Sequence, residues 1–142
     1  MIKRFGAEGG VGTGGQHLPF SRAVQAGGFL YVSGQTPMRD GEVVEGGIVE
    51  QSRIAIENCI QIMQEAGYGL EHVVHVTVVL TDPRYFGSFN KVFREVFGAH
   101  PPARICVAPP HRPQKRWVWC QASRAAPCAS APSVSSPSNP CV

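Results

Sequence analysis

No aspartate or glutamate follows Glu95 in this chain of 142 residues. That absence divides the molecule by charge. Residues 1–107 hold nine Lys and Arg against ten acids, whereas residues 108–142 hold Arg112, Lys115, Arg116 and Arg124 and no acid. The net charge of +3 therefore belongs to the tail, which argues against nucleic acid as a partner, because phosphate binding calls for a basic patch on the folded face. Long apolar runs are missing as well. None approaches the roughly 20 residues of a membrane helix, and the start, residues 1–6, lacks the apolar stretch of a signal peptide. The expected location is the cytoplasm, with no membrane partner. Cysteine is scarce and unpaired in spacing: Cys59, Cys106, Cys120, Cys128 and Cys141 form an odd set with no disulfide framework. His111 and the last three cysteines lack the close pair from which one loop supplies two zinc ligands. No metal site is expected from this spacing.

What is present reads as one globular domain, with 43% hydrophobic and 16% charged residues. Residues 29–33 and 73–80 are rich in β-branched and aromatic side chains and read as strands. In the second, alternation puts Val74, Val76, Val78 and Leu80 on the core face and Val73, His75, Thr77 and Val79 on the other, with His75 a surface or interface histidine. From Ile48 to Ala66 the period becomes helical, with Ile56, Cys59, Ile60, Met63 and Ala66 on one stripe and Gly67 as the stop. A second helix is expected from the Asp82 cap and Pro83 to Gly98, with Phe86, Phe89, Asn90, Phe93 and Phe97 on its apolar face. Asn90 is a polar residue on that face and needs a partner or a purpose. Shorter strands at 2–5, 19–25, 42–45 and 104–107 complete an order ββββαβαβ, an α+β fold with both helices on one face of the sheet. The open face then predicts a homo-oligomer with closed symmetry.

After Val107 the pattern ends. Residues 108–142 contain seven prolines and six serines and no sustained period, the composition of a disordered tail. Within it, residues 116–121 carry two tryptophans and can pair as a strand.

Three short motifs bear on chemistry. Residues 10–15 have glycine spacing suited to a pyrophosphate, but no helix follows, so they read as a loop. Ser33-Gly34-Gln35 ends a strand where a hydroxyl and an amide either project into a cleft or form a plain strand-to-turn transition; the surroundings are not those of a hydrolase nucleophile. Pro101-Pro102 stiffen the approach to a strand that starts at Arg104, whose planar fork suits a carboxylate. Surface ion pairing is the competing role for that arginine.

Taken together, Pro19-Phe20-Ser21-Arg22-Ala23-Val24, the run Gly27 to Gln35, Glu65-Ala66-Gly67, Val76 to Leu80 with Asp82, Phe89-Asn90-Lys91-Val92-Phe93 and Pro101-Pro102-Ala103-Arg104 resemble the RidA (YjgF) family. The resemblance covers residues 1–107. It implies a chorismate-mutase-like α+β fold, a homotrimer, and active sites in the clefts between subunits. It further implies hydrolysis of reactive enamines and imines such as 2-aminoacrylate to 2-keto acids and ammonia, without metal or cofactor. Under it, Arg104 holds the substrate carboxylate and the backbone at Cys106 meets the nitrogen end of the ligand. Ser33, Gly34 and Asn90 line the cleft, and Phe20 stands where many members have a tyrosine.

The tail departs from the family. Members place a glutamate about fifteen residues beyond this arginine, where the present chain has Trp119. The tail's composition is what a GC-rich gene yields when read in a shifted frame; the alternative is a divergent C-terminus. Resequencing from His100 to the stop separates the two. The functions in view are imine deamination, a metabolite-binding trimer without catalysis, and the endoribonuclease activity attached to some members. Low solubility is expected unless residues 116–121 replace the family's last strand.

Overall fold

The computed structural model describes residues 1–6 and 15–109, and the backbone of 118–125. Most of the glycine run 10–15, and residues 110–117 and 126–142 of the tail, lie outside the described residues. The elements are β1 (Lys3–Phe5), β2 (Ala23–Ala26), β3 (Phe29–Val32), β4 (Met38–Arg39), β5 (Glu42–Val43), α1 (Ile48–Glu65), β6 (Val73–Leu80), α2 (Phe86–Phe97), β7 (Ala103–Val107) and β8 (Val118–Ala125). Six of the strands form one sheet in the order β1-β2-β3-β8-β6-β7, and β4 and β5 form a separate hairpin. The β6–β7 pair is parallel and the other pairs are antiparallel.

Local chemistry explains the turns. Gly27 and Gly28 both take positive φ, which a two-residue hairpin matched to strand twist requires, and Ala26 faces Phe29 across it. Gly67 stops α1 at φ +84, as its position in the helical period predicts. Asp82 does accept from the Arg84 amide at 2.8 Å, but it caps a single 3-10 turn, Pro83–Tyr85, and α2 starts only at Phe86. The Arg84 side chain, bonded to the same carboxylate, holds the Asp82 carboxyl below its usual value.

The core lies between the helices and one face of the sheet. Leu30 and Val32 of β3, and Val76, Val78 and Leu80 of β6, pack with Ala55, Ile56, Cys59, Ile62 and Met63 of α1 and with Phe89, Val92, Phe93 and Phe97 of α2. The mixed α+β layout with two helices on one face is therefore as expected. One strand face needs correction. Val73 is buried and Val74 is 44% exposed, because a bulge between Val73 and His75 shifts the register at the start of β6 and reverses the alternation there. Phe86, the first residue of α2, is also exposed rather than part of the packed stripe.

A second correction concerns the tail. Val118–Ala125 overlaps the segment 116–121 expected to be able to pair as a strand but extends further into the stretch whose composition reads as disordered, and it pairs with β3 on one side and β6 on the other. Two strand edges with unmet backbone groups accept a partner largely through main-chain bonds, so side-chain composition is a poor guide at this position.

Candidate active site

Arg104 stands second in β7, an edge strand, and pairs in register with Val76 of the core face. Burial along β7 alternates, so Arg104 and Cys106 face the helices while Ala103, Ile105 and Val107 are exposed. The guanidinium thus reaches α2. There Arg104 Nη1 donates to Asn90 Oδ1 at 2.7 Å, which supplies the partner that Asn90 needed. The same guanidinium carbon lies 4.7 Å from the Phe93 ring centroid, 5.4 Å from that of Phe86 and 5.8 Å from that of Phe89. Cation–π attraction and one hydrogen bond hold the fork without neutralising it. No carboxylate pairs with Arg104 among the described residues.

This side chain opens on a cleft of about 550 Å³, walled by Asn90, Phe93 and Phe97 of α2 and by Pro101, Pro102 and Arg104. A charged fork with free donors in an apolar recess is suited to one anionic oxygen pair. Gly98, where α2 ends, is required for space: a Cβ there would press on the carbonyl oxygen of Arg94.

Cys106 lies two residues along the same face and is half-buried. Burial pushes its thiol up, and the charge of Arg104 pulls the other way to a lesser degree. A thiol held protonated is a poor nucleophile, which agrees with a backbone role for this residue. Among the described residues no group of three His, Cys, Asp or Glu is placed to hold a metal ion.

The remaining predicted site residues lie elsewhere in the chain's own fold. Ser33 follows β3, which β8 and β6 separate from β7, so about 14 Å of sheet lies between it and Arg104 at ordinary strand spacing. Its hydroxyl donates to the Ser21 carbonyl at 2.6 Å, while Gln35 Nε2 donates to the carbonyls of Ser33 and Gly34. Phe20, next to Ser21, is 49% exposed. Within the chain the predicted residues thus fall into two separate groups, one of Arg104, Asn90 and Cys106 and one of Phe20, Ser33 and Gly34. His75 is half-buried on the open face, away from both. Sequence reasoning passed over Arg94, which lines the cleft; its offset of four from Asn90, one helical turn, was the available signal.

Comparison with known proteins fits this geometry. A RutC family protein of Pyrococcus horikoshii is 44% identical over 91 residues, 63% of this chain and 72% of the relative. A RidA crystal structure from an Antarctic Psychrobacter superposes with a TM-score of 0.71 and 29% identity, covering 81% of this chain and 94% of that one. E. coli TdcF, solved with bound serine, superposes with a TM-score of 0.71 and 26% identity over 82% of this chain and 94% of that one. The Endoribonuclease L-PSP family model matches residues 15–117, and with these relatives beside it the chain belongs to the YjgF/RidA family.

Proposed function

We propose that the protein is a homotrimeric hydrolase of reactive enamines and imines, 2-aminoacrylate among them, and releases 2-keto acids and ammonia. The observation that carries this reading is the Arg104 guanidinium, fixed by Asn90 and three phenylalanine rings yet left without a carboxylate partner among the described residues. A 2-imino acid has the complementary carboxylate one bond from its electrophilic carbon. Holding that carboxylate sets the carbon for attack by water; the carbinolamine then expels ammonia as its oxygen loses a proton and its nitrogen gains one. The relative TdcF was solved with serine, an amino acid with the same adjacency of carboxylate and nitrogen. Arg104→Ala is expected to lower ammonia release from freshly generated 2-aminoacrylate by roughly 10- to 100-fold, the worth of one charge-assisted pair. Equal rates in both proteins would overturn the assignment.

A second reading has its own observation. Trp119 occupies the position opposite Val79 in β8, where the family resemblance puts a glutamate, and no acid follows Glu95. A cleft with an anchor and no proton-transfer group would bind keto acids without turning imines over. In the same assay that reading appears as keto-acid binding intact and ammonia release at the uncatalysed rate.

The trimer rests on two features. Phe29, Tyr31, Ile105 and Val107 are 40%, 47%, 53% and 46% exposed on the face without helices, an apolar area that a second copy would cover. The two groups of predicted site residues, too distant within one chain, would meet only between copies. Light scattering should give the mass of three chains; a monomer at micromolar concentration would reject the assembly.

A further inference from the structure

The cleft holds a second cation that the proposed reaction does not use. Arg94 lines it together with Arg104 and stands one turn along α2 from Asn90, the residue that fixes Arg104. Its own neighbourhood offers it no counter-charge. The adjacent Glu95 is bound to Arg53 at 2.8 Å, Glu57 to Arg39 and Glu65 to Arg22, and no carboxylate pairs with Arg94 among the described residues. Among the described residues no acid lines the cleft. Two guanidiniums therefore share one small recess whose other walls are phenylalanine, proline, glycine and one amide. Arg94 is exposed at the mouth of the recess, so a ligand with a single carboxylate engages Arg104 and leaves Arg94 to water, whereas a second carboxylate can use both.

We propose that Arg94 is a specificity-determining anion anchor, and that the preferred ligand is a short 2-imino or 2-keto dicarboxylate with one acid group on Arg104 and the other on Arg94. Asn90, which holds the Arg104 guanidinium, and Arg94 stand about 6 Å apart along the axis of α2 from four residues of rise, and both arginines line one cleft, so a short dicarboxylate is the class of ligand with an acid group for each. The reaction on such a substrate is the one already given: water adds to the imine carbon and ammonia leaves, yielding the keto dicarboxylate. This inference rests on the reading of Arg104 as the carboxylate anchor.

The test is calorimetric titration of the full chain with 2-oxoglutarate and, separately, with 2-oxobutanoate. Because Arg94 is solvent-exposed and its pairing is screened, the expected preference for the dicarboxylate is about two- to fivefold at low salt. Arg94→Gln should bring that ratio to about one, and Arg94→Glu should invert it, whereas Arg104→Gln should weaken both ligands. Equal binding of the two acids by the wild type, or a preference that survives Arg94→Gln, overturns the role of Arg94 and leaves that of Arg104 standing. Failure of the wild type to bind either acid overturns both.

Discussion

Truncation after Val107 is expected to abolish the cooperative thermal transition and send the protein into aggregates. The reason is topological. β3 and β6 are not hydrogen-bonded to each other; each is bonded to β8, which lies between them. Without β8 the six-stranded sheet becomes a three-stranded piece, β1-β2-β3, and a two-stranded piece, β6-β7. Each new edge would expose a row of unpaired amides and carbonyls beside buried residues such as Leu30 and Val76, and an unmet buried backbone group costs about 1–3 kcal/mol. Several such groups exceed the usual 5–15 kcal/mol of total stability. Circular dichroism melting of residues 1–107 beside the full chain is the measurement. A cooperative melt at the full chain's Tm would show that the two pieces hold together through the helices alone.

Phe89→Ala should be the most damaging single substitution near the cleft, at about 3–5 kcal/mol for emptying a packed aromatic site. Phe89 is wholly buried and is among the largest side chains so placed. Its ring packs 5.8 Å from that of Phe93 and forms part of the floor under the Arg104 guanidinium. The loss corresponds to a fall in Tm on the order of 15 °C for a domain of this size. Phe86→Ala supplies the contrast. Phe86 meets the same guanidinium but is 45% exposed, so its removal should change stability by no more than about 0.5 kcal/mol. Similar Tm values for the two variants would refute the distinction between a ring that supports the core and one that only covers the arginine.

Much of this architecture was legible from spacing. The two helices, the long central strand and the polar oddity of Asn90 each follow from periodicity, because an amphipathic face is a local property of sequence. What escaped was non-local. The bulge that exchanges Val73 and Val74 arises from pairing with a strand almost fifty residues away, and nothing in the valines themselves records it. The strand at Val118–Ala125 was legible only in part, as the segment 116–121 that can pair, since its extent and place depend on two edges elsewhere in the chain. At the site, Arg104 stood out by its position after two prolines. Arg94 did not, because an arginine on a helix is usually solvated, and only the packing of Pro101 and Pro102 against α2 makes a recess around it.

The placement of β8 also orders events in time. Tyr31 faces Ser123 across the sheet, partners roughly ninety residues apart in the chain, so the strand that unites the sheet leaves the ribosome after the other described strands. Until then the nascent chain holds two fragments with naked edges, and the closing step requires a long-range encounter of the kind that slows folding. Synthesis and folding cannot proceed element by element here: the core is sealed by β8, after Phe20, Ser33, Asn90 and Arg104 have all been made.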